Sequence, residues 1–392
     1  MERKLPRHLL GSMEPEMFLR AYWQKKPVLI RQGLPGWQSP LEPEELAGLA
    51  CEEDVIARII LEKGGSKPWE LRYGPFDEED FTSLPETHWT LLVQEVDRLV
   101  PEVAALLNTV RFLPNWRLDD IMVSYAAPEG SVGAHIDQYD VFLVQGYGKR
   151  LWQIGLHPVE EERLVEGLDV RILADFQPEA EWVVEPGDVL YLPPRYAHYG
   201  VALEPSITYS IGFRAPDQVE LVTGFAQYLA EIMEAPRRYS DPDLTPTDDP
   251  GEISARAVER LHTLMLEAMK QRVPFARWVG MYATAPQRGT YPTPPEVPYT
   301  EEELVELLAG GSRLQRSAVP ALAYMVEDDE TVWLFAFGEA YRLPGRLREA
   351  ASTLTGTVLL DYETLAPFLN DPAFIDVLLR LVNRGYLYLE TS

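Results

Sequence analysis

His135 and Asp137 sit two residues apart in "GAHIDQYDVFLVQGYGKRLW", Gly133 to Trp152, a stretch that otherwise reads as an apolar strand. Alternate side chains of a strand share a face, so the imidazole and the carboxylate point one way and Ile136 the other. Such a pair supplies two ligands to a divalent metal and leaves the third to come from elsewhere. Of the six histidines, His198 stands out for its frame, "EPGDVLYLPPRYAHYG" from Glu185 to Gly200. A turn at Pro186-Gly187 opens a short strand, Pro193-Pro194 breaks it, and the histidine follows. Two histidines and one carboxylate form the facial triad that holds Fe(II) and leaves three coordination positions open for co-substrate and dioxygen. An H-x-D alone is weak evidence, because a lone histidine is more often a packed core or surface residue. Together with the PGD…LPP…H frame it is specific.

Arg150 addresses the next requirement. A 2-oxoglutarate co-substrate chelates iron by its keto-acid end and leaves a distal carboxylate in a semi-dry pocket, where a guanidinium binds it with two parallel hydrogen bonds. "GYGKR" fits a tight turn that returns a cation into a barrel, and Arg150 is favoured for this over Lys149. The plainer reading is a surface cation at a hairpin end. Asp120, Met122 and Ser124 alternate along one face of "DDIMVSY". Tyr139 has the parity of His135 and Asp137, and Ser210 shares a face with Thr208 and Gly212. An acid, an aromatic and a thioether suit the stem and guanidinium of an arginine substrate. Ordinary lining of a polar barrel accounts for the same pattern equally well.

The elements that must position these residues are short strands separated by Gly/Pro signals. Strands are expected near Trp89–Gln94, Asp120–Tyr125, His135–Val144, Leu151–Gly155, Trp182–Val184, Val189–Leu192 and Thr208–Phe213. Their spacing suggests a barrel or double-sheet sandwich over residues 86–216. Residues 1–85 read as a segment packing on the barrel, with a helix at Glu14–Gln24 and a strand at "PVLIRQ". Residues 217–290 carry two amphipathic helices, Gln218–Met233 and Ile253–Arg272, on either side of the Pro/Asp loop "YSDPDLTPTDDPG". Their apolar stripes need a partner, either a second copy in a homodimer or the barrel itself. A Pro-rich linker, Tyr291–Pro298, opens residues 291–392, which alternate helices with strands (Ala318–Val326 and Val332–Phe337) as a winged helix does. The fold class read from these elements is α+β with a winged-helix-like end.

The chain has 392 residues, 46% hydrophobic and 25% charged, ordinary for a folded protein of two or three domains. No apolar run reaches the roughly 18 residues of a membrane span, and Met1 to Leu10 is basic without an apolar core, so a cytoplasmic location is expected. Cys51 is the one cysteine, which excludes an internal disulfide and thiolate zinc sites. The net charge of −27 makes direct nucleic-acid binding unexpected and steers in a basic partner, unless the acids serve solubility alone.

Taken with the N-terminal "FLRAYWQKKPVLIRQGLPGW", the two motif stretches resemble the JmjC-type ribosomal oxygenases, most of all the bacterial ribosomal protein arginine hydroxylases. The "PGD…LPP…H" stretch also resembles the second metal-binding hairpin of cupin barrels. Together these resemblances imply a double-stranded β-helix of the cupin or jelly-roll kind with a helical dimerisation segment. The resemblance implies a homodimeric Fe(II)- and 2-oxoglutarate-dependent oxygenase that hydroxylates the β-carbon of an arginine on protein sixteen of the large ribosomal subunit. It implies iron at His135, Asp137 and His198, 2-oxoglutarate at Arg150 with Ser124, and the substrate arginine at Asp120, Met122, Tyr139 and Ser210. Ala126 departs from relatives that carry a hydroxyl residue there. Histidine hydroxylation and lysine demethylation use the same triad and stay open as alternatives, as do a cupin isomerase or hydrolase and a non-catalytic ribosome-assembly scaffold.

Overall fold

In the computed structural model, residues 5–286, 292–316, 322–357 and 359–390 are described. Tyr291 of the expected linker and residues 318–321 of the expected strand Ala318–Val326 lie outside them. Two compact units divide the chain, one spanning Met1–Ala215 and the other beginning at Pro216.

Eleven strands build the first unit: β1 (Val28–Ile30), β2 (Ala57–Leu61), β3 (Glu70–Tyr73), β4 (Trp89–Val93), β5 (Leu118–Ala126), β6 (Val141–Tyr147), β7 (Arg150–Pro158), β8 (Ala180–Val184), β9 (Val189–Leu192), β10 (Tyr196–Ala202) and β11 (Ser206–Phe213). One sheet has the order β1-β9-β6-β11-β5-β4-β2-β3, and a three-stranded sheet has the order β10-β7-β8. The N-terminal 85 residues do more than pack on a barrel, because β1 closes one edge of the large sheet against β9 while β2 and β3 extend the other beyond β4.

Alternation sorts the side chains of the large sheet. Ile121, Val123, Phe142, Val144, Ile207, Tyr209 and Ile211 face an apolar core shared with Phe18, Leu34 and Leu46 of the N-terminal segment. The opposite faces point inward, where Val141, Leu143, Trp152, Ile154, Val184, Leu190 and Leu192 fill one end of the barrel. The rest of that interior is polar: Asp120 and Ser124 on β5, Gln145 on β6, Arg150 on β7, and Ser206, Thr208 and Ser210 on β11 are all buried. Seven polar groups in a barrel interior cost more than apolar filling would, and the fold accepts that only where they are used.

The structure departs from the sequence reading at two points in this unit. The expected strand His135–Val144 begins only at Val141. His135 makes an isolated bridge to His198, and residues 136–140 form an irregular loop. The break at Pro193-Pro194 stands, since β9 ends at Leu192, but Tyr196–Ala202, where no strand is expected, forms β10 and carries His198.

In the second unit the helices Gln218–Ile232 and Ala255–Met269 stand where they are expected, and a further helix, Arg272–Thr284, follows that the sequence reading did not include. Two three-stranded sheets follow. One joins Leu322–Val326, Thr331–Ala336 and Glu339–Pro344; the other joins Leu359–Leu360, Arg313–Arg316 and Leu387–Glu390. The helices Arg348–Gly356 and Pro372–Asn383 bury Leu354, Phe374, Leu378 and Leu381. No described helix is long and apolar enough to cross a membrane.

Candidate metal centre

His135 and His198 face each other across a two-residue antiparallel bridge in which each backbone N–H donates to the other's carbonyl, at 3.0 and 2.9 Å. The bridge holds the two rings with their centroids 4.2 Å apart. Nδ1 of His135 lies 3.0 Å from the Gly133 carbonyl, and Nδ1 of His198 lies 2.9 Å from the Tyr196 carbonyl. A carbonyl can only accept, so each Nδ1 carries the proton and each Nε2 presents a lone pair. Both Nε2 atoms turn to Asp137, at 4.0 Å for His135 and 3.5 Å for His198. All three ligand atoms lie within 4.8 Å of one another. Burial, together with His135, pushes the His198 imidazole down to about 4, which keeps it neutral and ready to ligate.

Arg150 is delivered by the tight turn between β6 and β7. Gly148 has φ +62° there, and a Cβ would meet the Pro205 carbonyl oxygen. Along β7, Arg150 alternates with Trp152 and Ile154, so it shares their inward face. It is 6% exposed, and burial pulls its guanidinium down to about 10. Nη2 donates to Ser206 Oγ at 3.4 Å, Nε has no hydrogen-bond partner, and the group lies 5.7 Å over the Trp152 ring. No carboxylate pairs with it among the described residues. Lys149, by contrast, is exposed and paired with Glu185 at 2.7 Å. A buried cation without a counter-ion is costly, and an anionic ligand would satisfy it.

Ser124 and Thr208 are register partners on β5 and β11, and Met122 pairs with Ser210 one step further along. Asp120 follows on the same face, with one carboxylate oxygen taking the Glu95 N–H at 3.0 Å. Tyr139 is not on a regular strand and is 42% exposed, so parity does not carry it inward. Its phenol nonetheless meets the Asp137 carboxylate, which with burial and Asp120 raises it well above the usual phenol range. Of the nine residues singled out by sequence, His135, Asp137 and His198 thus converge on one point, while Arg150, Asp120, Ser124 and Ser210 are buried on β7, β5 and β11.

Two interior residues escaped the sequence reading. Ser206 sits opposite Ala126 and supplies a hydroxyl beside Arg150 where Ala126 has none. Its parity with Thr208 and Ser210 was the available signal. Gln145 accepts from Thr208 Oγ1 at 2.9 Å and donates to the Tyr147 and Gly148 carbonyls, at 2.7 and 3.1 Å, bracing the turn before Arg150.

Comparison with known proteins adds to this geometry. A JmjC domain model matches residues 105–221, and a ROXA-like winged-helix model matches residues 267–388. The chain is 37% identical over 373 residues to the ribosomal protein uL16 3-hydroxylase of Escherichia coli K12, covering 95% of this chain and 97% of that one. It is 43% identical over 241 residues to a probable ribosomal oxygenase of Haemophilus influenzae, covering 61% and 56%. Among solved structures, E. coli YcfD superposes with a TM-score of 0.87 at 36% identity over 100% of both chains. The complex of YcfD, a ribosomal oxygenase, with cobalt and 2-oxoglutarate superposes at 0.84, with 36% identity over 97% and 99%.

Proposed function

We propose, because this chain belongs to the JmjC-domain ribosomal oxygenases, that it is an Fe(II)- and 2-oxoglutarate-dependent oxygenase acting on the β-carbon of an arginine in the large-subunit protein uL16. The reading is carried by one coincidence. Three ligand atoms converge within 4.8 Å of one another in a barrel that also buries a guanidinium with no carboxylate partner among the described residues. When bound, Fe(II) supplies the chemistry the side chains lack, the activation of dioxygen against 2-oxoglutarate with loss of carbon dioxide.

The chain's own residues bind and orient. His135, Asp137 and His198 hold the metal through Nε2, a carboxylate oxygen and Nε2. Arg150, with the Ser206 hydroxyl and Ser124 nearby, takes the distal carboxylate of the keto acid. Asp120 and Tyr139 meet the substrate guanidinium, Met122 lies along its stem, and Ser210 flanks it. Holding the reacting carbon at a fixed distance is the protein's main catalytic contribution. The net charge of −27 suits a basic ribosomal protein. We assign the enzyme to the cytoplasm and to a homodimer formed through the middle helices. The Ala255–Met269 helix supports that assembly, because it buries no residue and leaves Val258, Leu261 and Met265 more than half exposed or close to it.

Mass measurement tests the function. Incubation with Fe(II), 2-oxoglutarate and a uL16-derived arginine peptide should add one oxygen to the arginine and release succinate. His135→Ala should abolish both while leaving the fold intact. Formaldehyde release from a methyl-lysine peptide, with no gain of oxygen on arginine, would point to demethylation instead.

A further inference from the structure

The iron-ligand loop departs from strand geometry, so something other than a β-ladder must fix it. Residues 136–140 have no strand partners, yet the loop carries Asp137 and Tyr139. Two backbone bonds and one side chain hold it, the first bond running from the Phe213 N–H to the Asp140 carbonyl at 3.1 Å. Arg195, at φ +68°, donates its backbone N–H to the Asp137 carbonyl at 2.7 Å. At the loop's far end Asp140 is fully buried and gathers three donors from three separate segments. Tyr191 OH on β9 reaches Oδ1 at 2.6 Å, Gln24 Nε2 reaches Oδ2 at 2.9 Å, and Arg117 Nη2 reaches Oδ2 at 3.2 Å.

Gln24 belongs to the turn after the first helix, Pro15–Ala21, and holds a left-handed conformation at φ +56°. Its backbone N–H also donates to Tyr191 Oη at 2.8 Å. The next residue, Lys25, gives its carbonyl to Tyr196 OH at 2.5 Å. Tyr196 is the residue whose own carbonyl takes His198 Nδ1–H. One N-terminal turn therefore reaches both metal-binding segments, through Asp140 to the Asp137 loop and through Tyr196 to His198. Trp23, stacked on Tyr191 and packed edge-on against Phe213, seats the turn.

We propose that the Gln24–Lys25 turn, with Asp140 as its hub, is an outer brace of the metal centre: Gln24, Asp140 and Tyr196 are positioning residues that set metal affinity without touching the metal. The proposal rests on the metal-centre reading above. Groups behind metal ligands change affinity by about 10- to 100-fold when removed.

The test is Co(II) and anaerobic Fe(II) titration of the full chain, with thermal melting of the metal-free protein alongside. Gln24→Asn tolerates the left-handed turn but shortens the donor's reach. Tyr196→Phe removes only the hydroxyl and keeps the carbonyl that holds His198. Each should weaken metal binding about tenfold and alter the Co(II) absorption spectrum, with metal-free melting shifted by no more than a few degrees. Asp140→Asn should weaken it further; if that variant fails to fold, the two milder ones still decide the matter. Folded Gln24→Asn and Tyr196→Phe proteins with wild-type affinity would overturn the brace, as would losses of affinity that merely track losses of stability. A wild-type chain that binds neither metal would overturn the metal centre itself, and the brace with it.

Discussion

Arg150 brings a charge into the barrel interior that no carboxylate among the described residues neutralises. Burying an unpaired cation opposes folding, so its contribution must come from a ligand. Arg150→Met keeps much of the stem's volume and removes the charge. The metal-free variant should melt at or above the wild-type temperature, while the KM for 2-oxoglutarate rises about 10- to 100-fold, the worth of a charge-assisted hydrogen bond or two. A parallel loss of stability would show Arg150 to be a structural residue. Asp97 is the second residue whose environment works against it. Its Oδ1 takes the Ile121 N–H at 2.8 Å, but burial, with Asp120 nearby, raises its carboxyl from 3.8 to about 7 despite that bond and Arg98. Because the folded-state value is raised, the stability contribution is complete below about pH 4 and is lost as pH rises to about 7. Asp97→Asn keeps an acceptor for Ile121 and cannot ionise. It should match the wild type near pH 4 and exceed it at pH 8 by on the order of 2–4 kcal/mol in denaturant titrations.

Strand β10 shows how an element positions a site through its smallest residue. Gly200 pairs with Trp152 across the β7–β10 ladder, and a Cβ there would approach the indole to 2.6 Å. The indole packs 5.8 Å from the His198 ring and beneath the Arg150 guanidinium. Gly200→Ala must therefore push Trp152 toward the metal ligands and the cation together. Overpacking of this kind costs about 1–3 kcal/mol. The variant should lose several degrees of melting temperature and bind both Co(II) and 2-oxoglutarate more weakly; unchanged affinity for both would mean that Trp152 moves elsewhere. The same strands show what was legible in the sequence. Alternation in "DDIMVSY" and "TYSIGFR" separates inward polar from outward apolar residues, and β5 and β11 keep that pattern for their central residues. The H-x-D pair was found by strand parity although no strand is there, because the His135–His198 bridge fixes the same local geometry for one residue. Parity then failed at Tyr139, four residues beyond the bridge. Tyr196–Ala202 was missed because the double proline before it reads as a break, whereas the pairing that makes it a strand comes from β7, far away in the chain. The outer brace could not be read at all, since Gln24, Asp140 and Tyr196 meet only in three dimensions.

At the scale of the whole molecule, charge and apolar surface act in opposite directions. Each copy carries −27, so two copies repel, and a homodimer must be held by apolar contact. The Ala255–Met269 helix offers such a contact, with Val258, Leu261 and Met265 at 53%, 50% and 57% exposure along one stripe. Charge repulsion is screened by salt, and apolar burial is not weakened by it. The proposed dimer should therefore tighten as ionic strength rises from about 50 to about 500 mM. Capture of a basic substrate uses the same field with the opposite sign, since attraction raises the encounter rate and screening removes it. Turnover at low substrate, which reports kcat/KM, should fall several-fold over that range while kcat at saturation holds. Light scattering and initial rates on the same samples separate the two effects. If the dimer loosened with salt, ion pairs rather than the apolar stripe would hold it. If kcat/KM stayed flat, the acidic surface would serve solubility and take no part in recognising a basic protein.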